Sequence, residues 1–259
     1  MVKVFIDPGH GGSDSGAIYY GFEEKVVTLQ IAKRIRDILE NDYENVSIRM
    51  SRTNDVTMSL SARTTAANSW KADYYLSIHI NAGGGTGFES YIYPGVGNPT
   101  SIYQSIIHEE VVKSTNFNNR GKKSANFHVL RETSMPALLT ENGFIDNPND
   151  TNKLKDSNFI EKIAQGHVNG IVKSFSLQKK QKPIDNQSLY RVQIGAFKNK
   201  DGAEKLASTA KSKGFETAIL YNNNLYKVQI GAFTNKKSAE DLAAKARNAG
   251  FDTIIVTVS

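Results

Sequence analysis

Cysteine is absent from all 259 residues. Disulfides and thiolate-held metals are therefore excluded, and any metal must be bound by histidine and carboxylate side chains. No apolar run approaches the roughly 20 residues a membrane-spanning helix needs, so insertion into a membrane is not expected. The opening Met1-Val2-Lys3-Val4-Phe5-Ile6-Asp7 lacks the basic, apolar and small-residue succession of a secretory signal and reads as a strand. There is no Gly-x-Ser-x-Gly, which argues against a serine hydrolase. The glycine-rich Asp7-Pro8-Gly9-His10-Gly11-Gly12 lacks the Lys-Ser/Thr ending of a phosphate loop.

What is present points to a globular protein with two unlike parts. Hydrophobic residues make up 39% of the chain and the formal net charge is +6. Up to Ser176 there are 18 Lys and Arg against 19 Asp and Glu, whereas from Leu177 onward there are 14 against 7. A near-neutral front and a basic back suggest that the C-terminal part meets something anionic.

In the front part, strand-like runs (Val2 to Ile6, Val46 to Met50, Tyr74 to Ile80, Phe88 to Tyr93, Leu138 to Thr140) alternate with helix-like stretches. Those stretches are Lys25 to Glu40, Leu60 to Trp70, Ile102 to Lys113 and Phe159 to Phe175. The alternation predicts an α/β fold, a mixed sheet flanked by helices. Sites in such sheets gather beyond the carboxyl ends of strands. Residues 177 to 188, mostly the polar, proline-containing stretch from Gln178 to Ser188, read as a linker. Beyond it, Leu189-Tyr190-Arg191-Val192-Gln193-Ile194-Gly195-Ala196-Phe197 recurs 36 residues later as Leu225-Tyr226-Lys227-Val228-Gln229-Ile230-Gly231-Ala232-Phe233. Each unit reads strand, helix, strand, so two of them predict a small βαββαβ domain with helices on one face.

Four residues carry candidate chemistry. His10, Glu24 and His79 supply two imidazoles and a carboxylate, the ligand set of a catalytic zinc with an open coordination position. Glu141 adds a carboxylate that could serve as base. Glu23 competes with Glu24 for the ligand role. His108 and His167 lie on predicted helices without a ligand motif and read as structural, while His128 is a candidate substrate contact.

The segments Asp7 to Gly12, Asp14, Gly16 and Glu24-Lys25, then Ser77-Ile78-His79-Ile80-Asn81-Ala82, then Leu138 to Phe144, resemble in order the zinc-dependent N-acetylmuramoyl-L-alanine amidases. More narrowly, they resemble the sporulation-associated wall amidases of bacilli. The resemblance implies Zn2+ bound by His10, Glu24 and His79, with Glu24 matching the Glu-Lys pair of that family. It implies that Glu141 takes a proton from water and passes it to the leaving amine, with Asn81 near the substrate.

The repeat resembles the sporulation-related (SPOR) module, which binds peptidoglycan. Strand alternation assigns Tyr190, Val192, Ile194 and Ala196 to the core, and Arg191, Gln193 and Phe197 to the other face, together with Lys227, Gln229 and Phe233; Phe197 and Phe233 read equally well as packing at the strand–helix junction, which leaves Gln193 and Gln229 as the better surface contacts. An RNA-recognition domain shares this topology and would suit the positive charge, but its aromatic-rich motif is missing. Together these readings predict a monomeric peptidoglycan hydrolase, with a zinc amidase domain (1–176), a linker (177–188) and a wall-binding domain of two repeats (189–224 and 225–259). It would cut the amide between N-acetylmuramic acid and L-alanine. It would act at the cell wall or outside the cell, reached without a recognisable signal peptide, by lysis or a phage-type exit. The alternatives are a zinc peptidase cutting within the stem peptide and a non-enzymatic wall- or RNA-binding protein; no nucleic acid partner is expected.

Overall fold

The apolar run that opens the chain becomes β1 (Val2–Pro8), whose last five residues are buried. A two-residue hairpin, β2 (Ile18–Tyr19) and β3 (Phe22–Glu23), leads into α1 (Glu24–Asp42). There follow β4 (Val46–Met50), α2 (Leu60–Trp70), β5 (Tyr74–Asn81), β6 (Phe88–Ile92), α3 (Thr100–Thr115), β7 (Asn119–Ser124), α4 (His128–Arg131), β8 (Ala137–Phe144), α5 (Pro148–Leu154) and α6 (Ser157–Phe175). This computed structural model describes residues 1–180 and 189–258, and the chain divides into two units, Met1–Lys180 and Gln181–Ser259.

The first unit is built on a six-stranded sheet in the order β4-β1-β5-β8-β6-β7. β4, β1, β5 and β8 run parallel, and β6 turns antiparallel to β8, so the sheet is mixed. One face carries Val4, Ile6, Tyr74, Leu76 and Ile78 against the apolar sides of α1, α3 and α6. The other face packs Phe5, Tyr75 and Leu139 against Ala67 of α2 and Leu130 of α4. Alternation along β1 and β5 thus feeds two cores at once, the arrangement expected of strands covered on both faces.

Two boundaries differ from the sequence expectation. Glu141 does not follow a short strand but lies inside β8, which continues to Phe144. The polar pair Asn142-Gly143 is accommodated because Asn142 Nδ2 donates to the His79 and Thr140 carbonyls. Gly143 takes φ 99°, where its hydrogen faces the Phe117 ring. The predicted linker also begins too early. Leu177 is buried in the first core, the Glu44 amide donates to the Gln178 carbonyl and the Lys180 amide to the Asp42 carbonyl. Residues 177–180 therefore belong to the first unit, and the rest of the predicted linker, 181–188, lies outside the described residues.

The second unit comprises β9 (Leu189–Phe197), α7 (Lys200–Ser212), β10 (Ala218–Asn222), β11 (Leu225–Phe233), α8 (Lys236–Asn248) and β12 (Ile254–Val258). Its antiparallel sheet runs β10-β11-β9-β12, so each repeat lends its last strand to the first strand of the other. The side chains of Asn199 and Asn235 cap the two helices at equivalent positions. Ala203, Ala207 and Ala210, with Ala239, Ala243 and Ala246, are buried at helical spacing, and these small residues let both helices sit close on the sheet. The pairing of β9 with β11 slips at Ile194 and again at Ile230. Such a bulge reverses the alternation beyond it. The expected face of Ala196 is corrected accordingly, since it is exposed, while Phe197 and Phe233 take the packed alternative, on the core beside Leu206 and Leu242.

Candidate metal centre and active-site cavity

The loop after β1 reaches the site because glycine leaves room. A Cβ on Gly9 would lie 2.3 Å from His79 Cε1, and one on Gly16 would lie 2.6 Å from Glu24 Oε2. His10 itself adopts the left-handed region, φ 61°, a conformation that costs a non-glycine residue on the order of 1 kcal/mol and so needs support. Glu24 opens α1, and His79 sits near the end of β5. The Glu24 carboxylate lies between the imidazoles, with Oε2 3.2 Å from His10 Nε2 and Oε1 3.0 Å from His79 Nδ1. It also accepts the Ala17 and Ile80 amides. One ligand-type atom from each of the three residues lies within 4.8 Å of the others, so the cluster can hold a metal ion. Glu23 is turned away and pairs with Lys25 at 3.3 Å.

Burial alone would raise the Glu24 carboxyl, but hydrogen bonds from His10 and His79 and their charge hold it well below the ordinary range. Burial lowers His10, yet the Glu24 and Asp14 carboxylates outweigh this and raise it. The Asp14 contact, 2.9 Å to His10 Nδ1, also fixes the orientation of the ring.

Beneath the loop lie two buried arginines that carry no motif in the sequence. Arg63 donates to the Asp7 carboxylate at 2.7 Å and to the Pro8 and His10 carbonyls at 2.8 and 2.7 Å. Arg52 donates to the Pro8 carbonyl at 3.1 Å and the Gly9 carbonyl at 2.8 Å. Asp7 in turn accepts the hydroxyls of Tyr75 and Ser77. Three successive loop carbonyls are thus pinned by planar, charged donors, which supports the strained backbone of His10. The available signal was an arginine among the alanines of α2, but the loop atoms it holds, the Asp7 carboxylate and the Pro8 and His10 carbonyls, lie more than 50 positions away.

Over the cluster opens a cavity of about 480 Å³ lined by His10, His79, His128 and Glu141, with Met58, Leu60, Phe127, Val129 and Leu139 forming an apolar wall. Glu141 Oε2 and His128 Nε2 are buried without a hydrogen-bond partner among the described residues. Burial raises the Glu141 carboxyl well above its ordinary value, and the Glu24 and Glu89 carboxylates push it further. Asn81 does not line this cavity; its side chain accepts the Ala82 amide. His108, bonded to Ser90 and Asn119, and His167, bonded to Thr140 and the Ile163 carbonyl, are buried in the scaffold.

The family profile described as N-acetylmuramoyl-L-alanine amidase matches residues 4–173, which span every residue of this centre. The chain belongs to the N-acetylmuramoyl-L-alanine amidase family. The SPOR domain profile matches residues 186–257 of this amidase. It is 60% identical over 221 residues to the N-acetylmuramoyl-L-alanine amidase CwlM of Bacillus licheniformis, covering 85% of each chain. It is likewise 60% identical over 220 residues to the sporulation-specific N-acetylmuramoyl-L-alanine amidase of Bacillus subtilis, again covering 85% of each. The fold superposes on the crystal structure of an N-acetylmuramoyl-L-alanine amidase from Clostridium difficile 630, with a TM-score of 0.66 and 33% identity, over 68% of this chain and 97% of that one.

In the second unit of this amidase, Arg191, Gln193 and Lys227 line a pocket of about 280 Å³ with Leu220, Tyr221, Asn222, Val256 and Val258. Gln193 is only 7% exposed, at the bottom of that pocket and not on an open surface. Gln229 lines a separate, smaller pocket with Glu216 and Thr217.

Proposed function

We propose that this peptidoglycan amidase cleaves the bond between N-acetylmuramic acid and L-alanine at a zinc centre held by His10, Glu24 and His79, with Glu141 moving the proton. The observation that supports this is the convergence of the three ligand-type residues and the unpartnered Glu141 oxygen on one cavity. The donor set fits zinc, since two imidazoles and one carboxylate converge beside an open cavity in a chain without thiolates. Bound there, zinc would supply a Lewis acid and bring the pKa of water to ~7.

The remaining work falls to the chain. Glu141 accepts the proton as water attacks the lactyl carbonyl carbon, and returns it to the alanine nitrogen as the C–N bond breaks. Water thereby ends as the new carboxyl group and the free amine, and Glu141 is restored. A carboxylate raised by burial suits both halves of that transfer, because it is basic enough to accept and acidic enough to donate. His128 Nε2, facing the cavity, would hold a polar group of the substrate. The apolar wall excludes water from the far side of the cut bond.

The second unit retains the enzyme on the wall through its SPOR surface, where Arg191, Gln193 and Lys227 present amides and cations to sugar hydroxyls and carboxylates. We read this surface as serving peptidoglycan and not nucleic acid, and the enzyme as a monomer, with residues 1–180 catalytic. The sporulation-specific naming of the Bacillus subtilis relative suggests the same stage of life for this one.

The deciding experiment is product analysis on purified peptidoglycan. Intact muramic acid and a new α-amine on alanine, lost with chelator or in Glu141→Gln, are expected. A new amine inside the stem peptide would overturn the reading in favour of a peptidase.

A further inference from the structure

The strand register places four functional side chains in one row across the sheet. His79 of β5 pairs with Glu141 of β8, and Glu141 pairs with Glu89 of β6. The pairing of β6 with β7 slips between Phe88 and Ser90, so Arg120 and Gly121 together stand opposite Glu89. Gly121 takes φ 91°, which permits this bulge. Tyr91 and Lys123 form the next step of the same face.

Glu89 is 2% exposed, yet it binds Arg120, Lys123 (2.9 Å) and the Tyr91 hydroxyl. Burying a carboxylate costs several kcal/mol, which a cation offsets only with good geometry and hydrogen bonds to the remaining lone pairs. Here two cations share it, and each keeps about a third of its side chain in solvent, 34% for Arg120 and 37% for Lys123. Their stems are also fixed by rings, Arg120 over Phe144 and Lys123 over Tyr91. Tyr91 packs on Phe127, which lines the active-site cavity. The result is a held, partly exposed positive pair on the strand face that carries Glu141, joined to the cavity wall through Tyr91 and Phe127, and no step of amide hydrolysis uses it.

We infer that Arg120 and Lys123, presented by buried Glu89, form a subsite for the free α-carboxylate of the residue that follows the alanine in the substrate peptide. The inference rests on the amidase reading above. Adjacent strands lie about 4.8 Å apart, so the β7 backbone stands about 10 Å along the row from Glu141, while its two cationic side chains reach back to Glu89 on the strand between. An extended residue spans about 3.5 Å. With the cut amide at Glu141, a carboxylate one residue beyond the alanine falls within reach of a long cationic side chain. Arginine suits such a partner because its planar donors match the two oxygens.

The test compares muropeptides whose glutamate after alanine carries a free or an amidated α-carboxyl. The native enzyme should favour the free acid in kcat/KM by about ten-fold, the scale of one charge-assisted hydrogen bond. In Arg120→Met/Lys123→Met that ratio should fall to near one, with the change mainly in KM, and Arg120→Lys should keep part of it. A ratio is unaffected by any fraction of misfolded protein. Calorimetric titration of the double variant with the released dipeptide, as acid and as amide, gives the same comparison if turnover is lost. Equal use of both substrates by the native enzyme, or an unchanged preference in the double variant, would overturn the inference while leaving the amidase intact. Failure of the amidase reading would show differently, as neither substrate being cut at the muramic acid bond.

Discussion

In the first unit, Asp7, Arg52, Arg63, Glu24 and Glu89 are all nearly removed from water, and each is committed to named partners. In the second, the ion pairs among the described residues lie on exposed helix surfaces, Lys200–Glu204, Lys236–Glu240 and Lys237–Asp241. Its Arg191 and Lys227 border an open pocket. Charges buried with good geometry are costly to assemble but stay aimed, which is what a reaction centre needs. Exposed charges cost little and hold weakly, which suits a surface that works by keeping a polymer nearby.

The sharpest way to break this comparison is to remove the metal. Chelation should abolish amide cleavage while sedimentation of the chain with purified walls stays unchanged; parallel loss of both would show that the units are not independent. Glu141→Gln should lower turnover by about 100- to 10,000-fold. Zinc content, read by elemental analysis, should remain at the native level.

Acidity should separate the units next. Burial pulls His167 down to about 4 from its ordinary 6.5, so the folded first unit refuses a proton that the unfolded chain accepts below that value. The contribution of neutral His167 to stability is therefore full above pH 6.5 and is lost as pH falls toward 4, by at most ~3 kcal/mol. Trp70 is the single tryptophan, so fluorescence melting follows the first unit alone. The second unit contains no histidine. A His167→Gln chain that melts with unchanged pH dependence between 7 and 5 would refute this.

Arg63→Met should weaken metal binding by about 10- to 100-fold, measured by competition with a chelating dye, because the His10 loop loses its support. Arg63→Lys should recover only part. The smallest effect belongs to the second unit: Arg191→Ala with Lys227→Ala should reduce wall sedimentation a few-fold, with activity on soluble muropeptides unchanged.

Much of this was legible in the residues. The glycine-flanked His10, the start of α1 at Glu24 and the apolar runs of β1, β5 and β8 are local signals, and the repeat announces its own topology. What escaped is non-local. Arg52 and Arg63 act on backbone carbonyls, which have no sequence signature. Strand β7, Asn-Arg-Gly-Lys-Lys-Ser, is an edge strand with no apolar side to reveal it. Phe197 and Ala196 exchanged faces because a bulge breaks the two-residue period that assigned them.

The tandem repeat has a consequence beyond anchoring. Arg191 and Lys227, Leu220 and Val256, and Asn222 and Val258 are each 36 positions apart, and all line one pocket. The pocket is thus nearly its own image under a half-turn about an axis through the sheet. A glycan strand reads differently in its two directions, but such a surface offers each direction almost the same contacts. Were glycan held in this pocket, the enzyme would have no built-in heading along the strand and could meet stems from either end.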